Sequence, residues 1–365
     1  MFKVLVSFGT RPEAIKMAPL VAELKSRAEV ECVVAVTAQH RQMLDQVLSA
    51  FGVAPDFDLD IMRERQTLSE ITSAALTGLE RVIEQVKPDL VLVHGDTATA
   101  FAGALAAYYR QVRVGHVEAG LRTWDKYSPF PEEMYRQMVD NIADFMFAPT
   151  EHSRRNLLRE GKDDARIFVT GNTEIDALRF TVRRDYTHPA LNLGNERLIL
   201  MTAHRRENLG EPMRQIFRAV RRAVTDFSDT RVIYPVHLNP AVREVANEIL
   251  GNVPRVSLID PLEVVDFHNF MSRAYLILTD SGGIQEGAAG LGKPVLVVRD
   301  TTERPEGVDA GTLKLVGTDE ENVYAALREL LTDRAAYEKM SGAPNPYGDG
   351  YASRRIADAI IGALK

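Results

Sequence analysis

Along this chain, short runs of consecutive apolar residues alternate with longer stretches whose apolar positions recur at helical spacing. In the first half the runs are "FKVLVSF", "ECVVAVTA", "LVLVHGD", "RVGHVEA", "DFMFAPT" and "RIFVTGN". In the second half they are "RLILMTAH", "RVIYPVH", "RVSLID", "AYLILTD", "PVLVVRD" and "TLKLVGT". A run that is apolar on both faces predicts a parallel strand covered by helices on each side. Strand–helix alternation over most of the chain predicts a doubly wound α/β architecture, and the two similar sets predict two such sheets. Apolar periodicity fails across 177–196, where Pro, Gly and Asn collect, so a domain boundary is expected near there. After the turn-rich "APNPYGDG", the segment "SRRIADAIIGALK" reads as a terminal amphipathic helix.

Composition narrows the picture. At 365 residues the chain suits two domains. Hydrophobic residues make up 45% and charged residues 26%, the balance of a soluble globular protein. Lys and Arg total 44 against 51 Asp and Glu, a formal charge of −7 that argues against a general nucleic-acid-binding surface. No apolar run reaches the ~18 residues of a membrane span, and the N-terminus "MFKVLVSFGTRPE" is already a strand and turn without a cleavable leader. The single cysteine, Cys32, excludes an internal disulfide, suits a reducing compartment and reads as a small apolar strand residue. A cytoplasmic protein is expected.

The chemistry collects where the strands end. In open parallel sheets ligands bind beyond the carboxyl ends of the strands. Here those ends read Gly9-Thr10-Arg11, Gln39-His40-Arg41, His94-Gly95-Asp96 and Glu118-Ala119-Gly120, then His204-Arg205-Arg206-Glu207, His237 and Asp280-Ser281-Gly282-Gly283. One polar strand end means little; so many on the same edges predict a site. In "SFGTRPEAIKMAPL", helix-start amides with Arg11 and Lys16 suit an anion, most simply phosphate, although Lys16 reads equally well as a solvated helix residue. In "TDSGGIQE", Ser281, Gly282 and Gly283 offer a nest of backbone N–H groups that a diphosphate can approach closely. The nearby Gly287 to Lys293 stretch imitates a P-loop, but Pro294 stands where the magnesium-binding hydroxyl belongs. No G-x-G-x-x-G follows a strand, so no dinucleotide cofactor is expected, and the spacing of His94, His116 and His237 does not predict a metal site. Glu132 and Glu133 open a helix after "YSPFP", where they read either as dipole-favoured caps or as one acid turned toward a ligand.

Eleven blocks in chain order carry a resemblance: "FGTRPEAIKMAPL", "TAQHRQMLDQ", "VHGDT", "GHVEAGLRT", "YSPFPEE", "TGNTEIDAL", "HRREN", "PVHLNP", "TDSGGIQE", "GKPVLVVRDTTERPE" and "NPYGDG". Together they resemble the bacterial non-hydrolysing UDP-N-acetylglucosamine 2-epimerases. The resemblance implies the glycosyltransferase-B arrangement of two Rossmann-like domains facing across a cleft. The first would span 1–172 and the second, binding UDP, 173–351, with helix 352–365 returning to the first. It also implies reversible epimerisation at sugar C2 of UDP-GlcNAc to UDP-ManNAc through UDP elimination, a 2-acetamidoglucal and re-addition. Such enzymes work without a cofactor, as homodimers in the cytoplasm, and feed cell-surface polysaccharide synthesis.

Carried over residue by residue, the resemblance implies Asp96, Glu118 and Glu132 as acids around the sugar, with Lys16 and His204 as further catalytic groups. Arg11, Lys16, His204, Phe267, Ser281, Gly282, Gly283 and Arg304 are the implied substrate-binding positions. Gln39, Gln42, Arg65, Arg205 and His237 match the site at which members bind a second UDP-GlcNAc as an activator. For removal of the C2 proton, Asp96 is the first choice and Glu118 the second. Two departures stand out. Gly287 replaces an acid thought to hold the ribose hydroxyls, and Leu262 replaces a Gln common near the base, so tight UDP binding is less firmly implied than the chemistry. A glycosyltransferase of the same fold, a hydrolysing epimerase and a silent nucleotide-sugar sensor are the rival readings; all three acids whose loss would mark a sensor are present.

Overall fold

The computed structural model describes residues 1–38, 41–63, 65–302 and 304–365, the side chains of 41–43 excepted. It divides into two compact units, Met1–Phe180 with Gly348–Lys365, and Thr181–Tyr347.

The first unit is built on a seven-stranded sheet of β1 (Phe2–Phe8), β2 (Val30–Val36), β3 (Phe57–Asp58), β4 (Leu90–His94), β5 (Arg113–Val117), β6 (Phe145–Ala148) and β7 (Ile167–Val169). Its order is β3-β2-β1-β4-β5-β6-β7, with every described pairing parallel. The central strands are buried along their whole length because helices cover both faces: Leu90, Val91, Leu92 and Val93 are each at most 1% exposed. Truncating such a side chain to alanine costs about 2–5 kcal/mol, so the core of each sheet is what holds its carboxyl edge in register. β3 was not among the expected runs; a strand of two residues is too short to show a period. Cys32 on β2 is half-buried, and burial pushes its thiol up to about 12.

The second unit repeats the plan with β8 (Arg197–Thr202), β9 (Thr230–Pro235), β10 (Val256–Ile259), β11 (Leu276–Thr279), β12 (Val295–Val297) and β13 (Leu313–Leu315), ordered β10-β9-β8-β11-β12-β13. Each strand matches one of the six runs read from the second half, β9 starting one residue ahead of its run at Thr230. Its core joins Met201, Phe217, Val232, Tyr234 and Leu278 between the sheet and the helices Glu211–Asp226 and Glu320–Thr332.

The division falls at Phe180, beyond the 172 implied by the resemblance. The helix Thr173–Thr181 is bound to the C-terminal segment of its own unit. Asp176 accepts the amides of Ala352 and Ser353 at 3.1 and 2.7 Å, and Arg179 Nη1 donates to the Gly350 carbonyl at 2.8 Å. The same bonds draw 348–351 into the first unit along with the terminal helix Ala352–Leu364. Among the described residues no helix is long and apolar enough to cross a membrane.

Candidate active site

In each sheet the strand order reverses next to the first strand of the unit, between β1 and β4 and between β8 and β11. Such reversal points open a crevice at the carboxyl ends of the strands. In the first unit the loop after β1 passes very close to its neighbours. A Cβ on Gly9 would stand 2.1 Å from Thr37 Oγ1 and 2.4 Å from Thr99 Oγ1, so only glycine fits. The helix Arg11–Lys25 follows, and its buried Glu13 reaches back to accept Gly9 N at 3.1 Å, Thr10 N at 2.7 Å and Thr97 Oγ1 at 2.7 Å. Burial outweighs these bonds and pushes Glu13 up to about 6. The Gly9 and Thr10 amides, just ahead of the helix, are thus taken by Glu13, and Arg11 is half-buried at the helix start.

Lys16 is not a solvated helix residue. It is 6% exposed, and its ammonium is paired with Glu118 Oε2. Glu118 also accepts Asn172 Nδ2 at 3.3 Å and lies 3.7 Å from His94 Nε2. Its φ of +68° places it in the left-handed region that residues with a side chain seldom adopt, a strain that clusters at functional sites. His94 is 4% exposed, and among the described residues neither of its ring nitrogens has a hydrogen-bond partner. Burial drives its pKa down to about 4, with Glu118 opposing and Lys16 adding to the fall, so at neutral pH the ring is uncharged.

Asp96, two residues past the end of β4, is paired with Arg136 Nη2 at 2.5 Å and keeps 28% of its side chain exposed. Arg136 lies on the helix Glu132–Ile142, whose first turn distinguishes the two glutamates. Glu133 is fully buried and occupied: it accepts Thr123 N at 3.0 Å, Trp124 N at 3.1 Å and Gln137 Nε2 at 2.9 Å. Glu132 has no such duty, and its Oε2 is buried without a partner. Of the pair, Glu133 holds the loop, while Glu132 Oε2 has no hydrogen-bond partner among the described residues.

The second unit gathers its groups around Asp280 at the end of β11. This fully buried carboxylate accepts His204 N at 2.7 Å, Arg205 N at 2.8 Å and Asn208 Nδ2 at 3.3 Å through Oδ2. Its Oδ1 lies 3.3 Å from His204 Nδ1, ion-pair range without hydrogen-bond alignment. The His204 ring stacks on His237 with centroids 5.3 Å apart, and burial lowers its pKa, with Asp280 opposing. Ser281 caps the helix Gly282–Gly290; Gly283 is exposed with nothing within 4 Å of an added Cβ. Over Gly282 stands Arg304, its guanidinium carbon 3.4 Å from where a Cβ would lie and its Nε 2.8 Å from the buried Glu286. The P-loop-like stretch begins inside this helix and ends in the loop before β12, with no strand ahead of it.

Among the expected sites, Lys16, Asp96, Glu118 and Glu132 thus lie at or beside one edge of the first sheet, with Arg11 at the same turn. His204, Ser281, Gly282, Gly283 and Arg304 lie at the corresponding edge of the second. Phe267 is half-buried on the helix Val264–Arg273 of the second unit. Of the activator set, Arg65 is exposed in the first unit, while Arg205 is half-buried and His237 exposed in the second. Gln39 and the Gln42 side chain lie outside the described residues. Reasoning from the sequence missed Arg136 as the partner of Asp96, Asn172 as a partner of Glu118, and Glu13 as the group that holds the turn amides. Arg136 is 40 residues from Asp96 and Asn172 is 54 from Glu118, separations at which no local spacing signals the pairing.

Two units of Rossmann strand order, with carboxylates and a buried lysine at one edge and a glycine-opened helix start with histidine and arginine at the other, define the class: an α/β enzyme equipped for acid–base chemistry on an anionic ligand. The model of the UDP-N-acetylglucosamine 2-epimerase family matches residues 22–361. The UDP-N-acetylglucosamine 2-epimerase of Bacillus subtilis (strain 168) is 65% identical over 360 residues, covering 98% of this chain and 95% of that protein. The S. aureus MnaA–UDP co-structure superposes with a TM-score of 0.93 at 56% identity, covering 100% and 97% of the two chains. The Neisseria meningitidis UDP-GlcNAc 2-epimerase bound to UDP-GlcNAc does so with a TM-score of 0.92 at 47% identity, covering 99% and 100%. The chain belongs to the UDP-N-acetylglucosamine 2-epimerase family and is an isomerase.

Proposed function

We propose that the enzyme interconverts UDP-GlcNAc and UDP-ManNAc by eliminating and re-adding UDP, without releasing free sugar. The carrying observation is the grouping of Glu118, Lys16, Asn172 and His94 at the sheet edge that also presents Asp96. The proton on C2 is not adjacent to a carbonyl, so a carboxylate cannot remove it from the resting sugar. As the C1–O bond to UDP breaks, positive charge grows at C1 and the C2 proton becomes acidic. The base takes that proton, the C–H electron pair becomes the C1=C2 double bond, and UDP leaves with the C–O pair. In the return step the double bond takes a proton on the opposite face of C2, and a UDP oxygen re-forms the bond to C1.

Proton handling on two faces calls for two acid–base groups. Asp96 is the first candidate for the base, with Glu118 the second; Glu132, with its buried unpartnered oxygen, supports the sugar. Lys16, paired with Glu118, offsets charge near the leaving group. Arg11, His204, Arg304 and the Ser281–Gly283 amides hold the diphosphate as it departs, and Phe267 takes the uridine side. Gly287 contributes no ribose contact. A second UDP-GlcNAc acts as an activator through Gln39, Gln42, Arg65, Arg205 and His237, so Gln42→Ala flattens a sigmoidal rate curve and leaves the unactivated rate in place. We place the enzyme in the cytoplasm as a homodimer that feeds polysaccharide synthesis.

Proton NMR of the protein with UDP-GlcNAc in D2O tests the reading. Deuterium at C2 together with UDP-ManNAc, and no free ManNAc, is the expected result. Release of UDP and free sugar would show a hydrolysing enzyme instead, and binding without any exchange would sink the epimerase mechanism for this chain.

A further inference from the structure

Behind the acids of the first unit lies an ion network, buried at His116, Asp140 and Arg122 and reaching the surface at Glu160, that touches neither Asp96 nor Glu118. His116 on β5 is 0% exposed. Its Nδ1 lies 2.6 Å from Asp140 Oδ1 and its Nε2 2.8 Å from the carbonyl oxygen of Gly95. A carbonyl oxygen accepts and never donates, and the Asp140 carboxylate likewise accepts. Both ring nitrogens therefore have to donate, and the ring that satisfies both partners is the imidazolium. Asp140 is equipped to stay ionised: Oδ2 accepts Arg122 Nη2 at 2.7 Å and Gly120 N at 3.2 Å. Burial pushes the Asp140 carboxyl up, and His116 and Arg122 together overcome this and hold it low. Arg122 in turn is held by Glu160 through bonds of 2.7 and 2.6 Å, so the buried charges come in balanced pairs.

The two backbone groups this network grips define its role. Gly95 is the residue before Asp96, at φ +62°, and Gly120 is two residues past Glu118, at φ +85°. The loops after β4 and β5 are thereby tied to the same Asp140–His116 pair, one through a carbonyl and the other through an amide. Asn156 Nδ2 holds Gly120 from its other side, donating to its carbonyl oxygen at 3.0 Å. Asp140 also shares its helix with Arg136 and Glu132, at spacings of four residues that place all three along one stripe.

We infer that His116, as an imidazolium clamped between Asp140 and the Gly95 carbonyl, is a positioning residue that sets the spacing of Asp96 and Glu118. The inference rests on the proposed acid–base roles of those two residues. Losing the clamp leaves substrate binding intact and moves the acids out of line with C2. A displacement of about 1 Å costs about 100-fold in rate.

Two measurements on the full chain test this. With 15N-labelled histidine, His116 should show protons on both ring nitrogens, signals absent from His116→Gln; a single ring proton would overturn the clamp as drawn. In kinetics per UDP-binding site, His116→Phe should lose about 100-fold in kcat, with KM and the Kd for UDP within about twofold. His116→Gln, which can still donate to Gly95, should recover part of that loss. A role confined to folding would lower the number of UDP-binding sites and leave kcat per site unchanged, and that outcome overturns the proposal. If His116→Phe does not fold, the glutamine variant and the ring protons decide. Wild-type turnover in both Asp96→Asn and Glu118→Gln would instead refute the acid–base reading, and the ring-proton result would still report on the clamp.

Discussion

The two sheet edges share a strand order but not a style of construction. At the edge of the first unit the charged groups are held by specific partners: buried Lys16 by Glu118, half-buried Asp96 by Arg136, and buried Glu13 by the turn amides. At the edge of the second unit one buried carboxylate, Asp280, shapes the His204 loop from behind, while Gly283 stays exposed and open. A group that must gain and lose a proton at a set position needs neighbours that fix its charge and its place. A group that must receive a diphosphate needs open amides and a reachable cation. The difference fits a division of labour in which the first unit handles protons and the second holds the nucleotide.

The largest expected effect tests that division on the first side. Asp96→Asn should lower turnover by about 10²–10⁴-fold, the range for loss of a general acid or base, with UDP affinity nearly unchanged by calorimetry. Full turnover in this variant removes Asp96 from the catalytic set. On the second side, Arg304→Gln should raise KM for UDP-GlcNAc and the Kd for UDP by about tenfold or more, the worth of a charged hydrogen bond, with kcat held within about twofold. A variant that lost kcat and kept KM would contradict the division.

A smaller effect probes the edge of the first unit through pH. His94 is held low, near 4, so its contribution to stability is present above the unfolded value of 6.5 and lost as pH falls toward 4. The full span is about 3 kcal/mol, and His94→Asn should flatten the acid limb of a denaturation series between those values. Glu13 runs the other way. Its folded value near 6 is above the ordinary 4.5, so its contribution is present below 4.5 and lost as pH rises through 6. Glu13→Gln, which mimics the protonated acid, should therefore stabilise the protein at neutral pH by up to about 2 kcal/mol; an unchanged midpoint would show that the buried acid carries no such load.

The fold was legible because buried parallel strands have to be apolar on both faces: ten of the thirteen described strands lie inside runs visible in the sequence, and β2 and β9 start one residue ahead of theirs, at Val30 and Thr230. Only β3, with two residues, escaped. The site was legible as a list of strand ends, since His94, Asp96, Glu118, His204 and Asp280 each close a run. What the sequence could not convey was occupancy. Glu132 and Glu133 are adjacent and chemically alike, yet one is fully bonded to loop amides and the other keeps an unpartnered oxygen. Nothing in the sequence indicated that Glu13 fills the Gly9 and Thr10 amides ahead of the first helix. The partners that settle such questions come from loops and helices remote in sequence, Asn172 for Glu118 and Arg136 for Asp96, and no local pattern encodes them.

The half-buried thiol of Cys32 has a practical use. With its pKa pushed to about 12, it is almost entirely protonated near neutral pH and reacts slowly with maleimides and methanethiosulfonates, which attack through the thiolate. As the chain has no other cysteine, the native sequence already serves as a quiet background for site-directed labelling. One introduced cysteine in each unit, carrying a spin label or a dye, would report the distance between the units with and without UDP, and Cys32 need not be replaced first.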